Sequence, residues 1–438
     1  MTDISLYARR RALLLERMGH GIAIIPTAPE VARNADTHYD YRHDSNFYYL
    51  SGFTEPEAVL VLVAGHEAGI PAHSILFCRD KDIEREIWDG YRVGPEAAPA
   101  LFGFDAAYPI AQLDAKLAEL MGNQPALFYP LGSDPAWDSR ILRLRGEVQA
   151  KARSGIRAPD AVLDLRARLN EMRLFKDDHE LGIIRRAAAI STGAHRRAMR
   201  YTRPDLYEYQ VEAELLHEFC SHGARHPAYT SIVAGGANAC VLHYVGNNAR
   251  LRDGDLLLID AGCELDGYAS DITRTFPVNG RFSPAQQDVY EIVLAAQAAA
   301  ITAAMPGHTW DEPHSAALGV LAQGFIDLGL CQGSVDEVLE KESYKKFYMH
   351  RTGHWMGMDV HDVGDYKVGE GWRVLQPGMV LTVEPGCYIR PDDDVPPELW
   401  NIGIRIEDDV AITELGNEVL TEAAPKTVAD IEELMRKP

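Results

Sequence analysis

The sequence predicts an α+β protein built from two domains. Three observations point there. At 438 residues the chain is longer than one typical hydrophobic core serves. Its first 172 residues alternate helical patterns with short apolar runs, as a small α/β domain does. Residues 173–438 then show two helix-rich stretches enclosing strand-rich segments, which suits helices layered outside an antiparallel sheet.

The first domain opens on residues 6–19, where Arg and Leu recur at helical spacing. Gly21 to Pro26 is a short apolar strand closed by a proline. Ala58 to Ala64 and Ser74 to Cys78 are further buried-strand patterns, and residues 113–121 and 139–153 have helical character. The boundary falls near 172, just before Asp177-Asp178-His179-Glu180. That acidic cluster opens a helix whose bases come later, an order that complements the helix dipole. Helix-rich stretches at about 177–222 and 284–328 then enclose strand segments at 229–235, 255–278 and 379–413.

Composition excludes several classes. A formal charge of −22 repels nucleic acid and anionic membranes alike. No apolar run approaches the roughly 20 residues of a membrane span, and no basic segment followed by an apolar one marks a signal peptide. The six cysteines show no CxxC and no regular spacing. They are expected as reduced thiols in a cytoplasmic protein, not as a disulfide framework or a zinc–thiolate site.

Five residues of metal-ligand type occur in order: Asp260, Asp271, His354, Glu384 and Glu407. Asp260 ends the apolar run Leu256–Ile259, and Asp266-Gly267 separates it from a second strand-like run. An Asp-Gly pair between strands signals a two-residue hairpin turn. With those two residues as the loop, Leu265 pairs with Tyr268 and Asp260 with Thr273. Asp271 then shares a face with Asp260, at about 7–8 Å between Cα atoms. Two solvated strand acids would be the ordinary alternative, but the apolar run before Asp260 argues against exposure.

His350, His354 and His361 lie within twelve residues, interleaved with glycines. Gly353 and Gly357 argue for an irregular loop, since each costs a helix about 1 kcal/mol relative to alanine. His243 stands apart and by itself says nothing. Glu384 ends the strand Gly378–Val383 and is followed by Pro385 and Gly386, which stop it. Glu407 lies in a second strand, Gly403–Ile412, where alternation puts it on the same face as Arg405 and makes an Arg–Glu pair possible. An acid in so apolar a strand needs a cation or an arginine.

Four carboxylates and one imidazole suit hard or borderline cations, and Mn²⁺, Co²⁺ and Zn²⁺ all fit. A pair of ions about 3.5–4 Å apart would lower the pKa of a shared water and polarise a carbonyl. In agreement, no GxSxG elbow and no clear serine or cysteine triad is present.

The segments LLLIDAGCELDGYASDITRTFPVNG (256–280), HWMGMDVHDVG (354–364), GMVLTVEPGCYI (378–389) and GIRIEDDVAIT (403–413) resemble aminopeptidase P, an Xaa-Pro aminopeptidase family of the M24 "pita-bread" metallopeptidases. Residues 29–36, 48–53 and 57–60 resemble that family's creatinase-like first domain. The resemblance implies a creatinase-like domain over 1–172 and a pita-bread catalytic domain over 173–438. It implies two divalent ions, most often manganese, held by Asp260, Asp271, His354, Glu384 and Glu407, with Asp271 and Glu407 bridging. A hydroxide between the ions would attack the carbonyl before proline while Glu384 handles the proton. His243 and His361 would stabilise the tetrahedral intermediate. His350, Tyr388 and Arg405 would form the proline pocket, with Tyr229 and Arg405 orienting the ligand carboxylates. The implied substrates are peptides with proline second, and the implied assembly is a homo-oligomer, dimer or tetramer. A prolidase, which cleaves only Xaa-Pro dipeptides, shares all five ligands and is the nearest alternative; a non-catalytic binding relative is the next.

Overall fold

A computed structural model describes residues 4–65 and 72–436. The chain divides into two compact units, Met1–Met172 and Arg173–Pro438.

The first unit contains helix α1 (Ile4–Met18), strand β1 (Gly21–Pro26), helix α2 (Ser45–Ser51), strands β2 (Val59–Ala64) and β3 (His73–Cys78), helices α3 (Ile83–Asp89) and α4 (Gly94–Phe102), strand β4 (Ala106–Pro109), helix α5 (Leu113–Leu120), strand β5 (Ala126–Phe128), helix α6 (Pro135–Gln149), strand β6 (Ala161–Leu163) and most of helix α7 (Arg166–Leu174), whose last two residues belong to the second unit. Six of its strands form one mixed sheet in the order β4-β3-β2-β1-β5-β6, while the short segments Ala32–Asn34 and Thr37–His38 pair with each other apart from it. β1 and β2 run antiparallel from Gly21↔Ala64 to Pro26↔Val59, and β5 lies parallel to β1 on its other side. Ile22, Ile24, Val61 and Phe77 of the sheet pack with Leu117, Ile141, Leu144 and Val148 of α5 and α6 as the core. α6 starts four residues earlier than the helical spacing suggests. Asp134 caps it by accepting the amides of Ala136 and Trp137, and Pro135 follows at the position where a missing N–H costs nothing.

The second unit begins with helices α8 (Asp178–Tyr201) and α9 (Glu208–Ser221). The acidic cluster acts as a capping box: the Asp177 side chain accepts the Glu180 amide, and the Glu180 side chain accepts the Asp177 amide. Strands β7 (Ile232–Gly235), β8 (Leu256–Asp260), β9 (Cys263–Leu265), β10 (Tyr268–Ala269) and β11 (Thr273–Pro277) follow, then helices α10 (Pro284–Ala303) and α11 (Asp311–Asp327). Strands β12 (Val380–Val383), β13 (Gly386–Ile389), β14 (Ile402–Arg405), β15 (Asp408–Ile412) and β16 (Asn417–Val419) precede the last helix, α12 (Val428–Arg436). Sheet orders are β7-β8-β11 and β12-β15-β16, with β13 paired to β14, all antiparallel.

Two features depart from the sequence expectation. Glu384 does not simply end a strand, because the chain resumes as β13 after the two-residue gap Glu384-Pro385. Residues 403–412 are likewise not one strand, being broken at Ile406-Glu407. The gaps face each other. Val383↔Asp408 and Gly386↔Arg405 keep one register across the break, which sets Glu384 opposite Glu407. Proline cannot donate to a ladder, and both glutamate amides bond elsewhere: Glu384 N–H to Thr352 O at 2.8 Å and Glu407 N–H to Thr273 O at 3.0 Å.

Candidate metal centre

The hairpin that carries the two aspartates has the register its turn predicts. Leu265 pairs with Tyr268 and Asp260 with Thr273. Asp266 and Gly267 take the left-handed φ values of 49° and 80° that a two-residue hairpin turn needs. The Tyr229 hydroxyl lies 2.6 Å from Asp260 Oδ1 and also contacts Asp271 Oδ1, so it spans both acids. One phenolic proton serves one oxygen at a time, so the second contact needs a proton on that carboxyl or a cation beside it.

The glutamates arrive from the broken ladder. Glu407 Oε2 accepts the Thr273 hydroxyl at 2.6 Å. His354 comes from residues 352–356, which have no helix and run antiparallel to β12: Met356 N–H bonds Val380 O, and Thr382 N–H bonds His354 O. Gly353 is required there, because a Cβ would meet the Thr382 carbonyl. His354 Nδ1 lies 3.0 Å from Trp355 O, which can only accept, so Nδ1 carries the proton. Nε2 is then directed at Asp271 Oδ2, 3.4 Å away, and Glu384 Oε1, 3.7 Å away. Ligand atoms of Asp271, His354 and Glu407 all lie within 4.8 Å of one another.

Arg405 differs from expectation. It does not pair with Glu407; its Nη2 donates to Asp260 Oδ2 at 2.6 Å, its Nε to the Thr273 hydroxyl and its Nη1 to the Tyr388 hydroxyl. The break in the strand explains this: alternation no longer relates Arg405 to Glu407, and the guanidinium reaches the hairpin end. Tyr388 in turn faces His350 Nε2 at 2.8 Å, while His350 Nδ1 lies 2.7 Å from Arg351 O. Since that carbonyl must accept, Nε2 accepts from Tyr388, giving a directed chain from Arg405 through Tyr388 to His350.

A cavity of about 530 Å³ is lined by Asp260, Asp271, His354, Glu384, Glu407, His243, His350, His361, Arg405 and Tyr229. Tyr388 is not among its lining residues; it is buried and acts on the wall from behind. The His361 ring meets that of His354 at 4.2 Å. Its segment is anchored by Asp362, which takes Arg173 Nη2 at 2.5 Å and Lys176 Nζ at 2.9 Å, all three side chains buried.

The electrostatics describe a site short of positive charge. Burial, then the neighbouring acids, push Glu407 far above the usual carboxylate range. Burial and Asp260 raise Asp271. Burial raises Glu384 to about 7, against the pull of His354 and Arg405. His354 stands at about 9, where contacts with Asp271 and Glu384 overcome its burial. His350 is lowered to about 3 by burial and by Arg405, so its approach to Glu384 is no ion pair. Four carboxylates thus share one guanidinium and one imidazole. The donor set, oxygen-rich with one nitrogen freed by its own tautomer, fits divalent cations, which would displace those protons.

Sequence reasoning missed the support behind this set. Arg274 is fully buried; it donates to Thr273 O at 3.0 Å and Glu407 O at 2.5 Å and pairs with Asp408 at 2.6 Å. It therefore clamps the backbone of one ligand strand to the other. Asp409 accepts the Asp271 amide at 3.1 Å. The one available signal was two adjacent acids inside an otherwise apolar strand.

The fold and the donor set define a metallohydrolase with a second, preceding α/β unit. Residues 182–414 match metallopeptidase family M24, and residues 7–129 match the aminopeptidase P N-terminal domain. The chain belongs to metallopeptidase family M24. It is 45% identical to the Xaa-Pro aminopeptidase of Escherichia coli strain K12, with 99% of both chains covered. Aminopeptidase PepP of Pseudomonas aeruginosa is 51% identical in sequence, with 99% of this chain and 98% of that one superposed at a TM-score of 0.96. Zinc-substituted aminopeptidase P of E. coli in complex with product is similar at 44% identity, 99% and 98% coverage and a TM-score of 0.96.

Proposed function

We propose that this chain is a metal-dependent Xaa-Pro aminopeptidase, releasing the first residue of peptides whose second residue is proline. The observation that carries the reading is the opposed pair Glu384 and Glu407, brought with Asp260, Asp271 and His354 to one cavity where burial leaves the acids short of cations. Full-length similarity to enzymes of that name supports it.

Asp260, Asp271, His354, Glu384 and Glu407 would hold two ions. Manganese is the expected metal; cobalt or zinc also suits the donors, and a zinc-substituted relative exists. Bound there, the ions would supply a water of lowered pKa and a Lewis acid for the scissile carbonyl. Glu384 would take that water's proton and deliver it to the proline nitrogen, which has no hydrogen of its own. His243 and His361 line the cavity and would donate to the developing oxyanion. His361 is lowered by burial and by His354, which favours the neutral ring. His350 and Arg405, braced by Tyr388, would hold the proline ring, while Tyr229 and Arg405 fix the aspartates. The substrate's free amino group would lie at the acidic end.

We also propose a cytoplasmic homo-oligomer, dimer or tetramer. All six cysteines are free, and no helix among the described residues is long and apolar enough to cross a membrane. On α3 and just beyond it, Ile83, Ile87, Trp88 and Tyr91 are 76–91% exposed, an apolar face that self-association would cover.

The test pairs metal analysis with peptide length. We expect two divalent ions per chain, activity lost to chelator and restored by manganese, and cleavage of Ala-Pro-Ala. Activity undiminished after metal removal would overturn the mechanism, and cleavage of Ala-Pro alone would make the enzyme a prolidase.

A further inference from the structure

Arg351, Thr352 and Gly353 separate two of the cavity's histidines. Thr352 turns inward, its hydroxyl 2.7 Å from His314 Nδ1 and 2.8 Å from the Tyr348 hydroxyl. Arg351 turns outward. Its side chain lines the cavity and is 47% exposed, against 20% for neighbouring His350. Its Nη2 bonds Asp311 Oδ1 at 2.5 Å, and its guanidinium carbon lies 5.0 Å from the centroid of the Trp372 ring. Nε and Nη1 have no protein acceptor among the described residues. Lys367 Nζ lies 4.4 Å from the centroid of the same ring, with no carboxylate in ion-pair range among the described residues. One indole thus carries two cations against one acid, in a chain of formal charge −22. A guanidinium fixed on an aromatic face with free N–H groups is shaped for a carboxylate.

We propose that Arg351, supported by Lys367 on Trp372, is a specificity-determining residue that engages a carboxylate on the substrate residue following proline. The inference rests on the aminopeptidase reading. There the amino end lies at the acids and the proline ring against His350. The next residue would then lie near Arg351, which lines the same cavity one Cα step, about 3.8 Å, beyond His350. The carboxylate is either the terminal group of a tripeptide or the side chain of an acidic third residue.

Two substrate pairs separate those sources on the manganese-loaded enzyme: Ala-Pro-Ala against its amide, and Ala-Pro-Glu-Ala-amide against Ala-Pro-Gln-Ala-amide. The wild type should favour the carboxylate member of at least one pair by about two- to fivefold in kcat/KM, through KM, the range of an exposed ion pair. Preference in the first pair assigns the terminal carboxylate, and in the second the acidic side chain. Salt should weaken the preference. Arg351→Ala should bring the ratio to near one, and Arg351→Lys should keep part of it. Wild-type ratios near one in both pairs, a ratio surviving Arg351→Ala, or a preference indifferent to salt would each overturn the proposal. If the alanine variant does not fold, the salt series alone decides. Failure of the wild type to cleave any of the four peptides would instead overturn the aminopeptidase reading.

Discussion

Removing bound cations should uncover a pH-dependent instability that the loaded protein lacks. Glu384 rises from 4.5 to about 7 in the folded chain, through burial against the pull of His354 and Arg405. His354 rises from 6.5 to about 9, because Asp271 and Glu384 outweigh its burial. Both folded values lie above the unfolded ones, so the folded state holds more protons as pH climbs. The stability from these groups is complete below pH 4.5 for Glu384 and 6.5 for His354, and is lost as pH rises through about 7 and about 9. A rise of about 2.5 in pKa corresponds to about 3 kcal/mol. The two groups interact, so their joint effect lies between about 3 and 6 kcal/mol. Bound cations hold both groups deprotonated, Glu384 as the carboxylate and His354 as the neutral imidazole, so metal stabilisation must grow with pH. At about 2–4 °C per kcal/mol for a domain of this size, the gap in Tm between manganese-loaded and stripped protein should widen by at least about 6–12 °C across the full window. Scanning calorimetry at matched pH values from about 5 to about 8.5 would capture most of it, and the loaded-minus-stripped difference cancels titrations elsewhere. A gap equal at both ends of that range would refute the electrostatic account.

Two further outcomes test the support of the site. Tyr229→Phe removes the hydroxyl that spans Asp260 and Asp271, and should weaken metal affinity about 10–100-fold in a chelator competition; an unchanged affinity would mean the contact is incidental. Arg274→Met leaves the Asp408 carboxylate buried with only Lys426 as a charged partner, and should cost about 3–5 kcal/mol in denaturant unfolding; a loss well under about 1 kcal/mol would show that Arg274 does not clamp the two strands.

Local chemistry made part of this legible in the sequence. The Gly21–Pro26 strand needs only its apolar run, and the Asp260–Asp271 hairpin needs only the Asp-Gly turn and the counting that follows from it. The histidine loop was legible because glycines at 353 and 357 deny it a helix. What remained hidden depends on partners remote in sequence. Nothing near Glu407 says that its amide leaves the ladder for Thr273 O, or that Arg405 reaches Asp260 instead of Glu407. Strand alternation failed at Ile406-Glu407 because it assumes an unbroken pleat, and the break needs both Pro385 and the acceptor supplied by β11. Tyr388 was placed in a pocket by analogy, whereas its hydroxyl serves Arg405 and His350 from behind the wall.

Among the four carboxylates, Glu407 depends most on a bound cation. Asp260 has Arg405 at 2.6 Å, while Asp271 and Glu384 have the His354 ring at 3.4 and 3.7 Å. Glu407 has the Thr273 hydroxyl and no cation in ion-pair range among the described residues. Burial and three acids therefore hold its carboxyl far above the usual range, and its ionisation and metal loading are one event. Glu407→Gln copies the shape and neutrality of the protonated acid and keeps an oxygen for Thr273. The wild-type side chain forfeits stability as pH rises above its unfolded value of 4.5, because the unfolded chain ionises there and the folded one does not. The glutamine variant has no such loss. Stripped of metal, it should melt above stripped wild type at pH near 8 and close to it near pH 4.5, while manganese no longer raises its Tm and turnover is abolished. A stripped variant melting below stripped wild type at the higher pH would mean that Glu407 is ionised without metal, and that the site does not store its need for cations as bound protons.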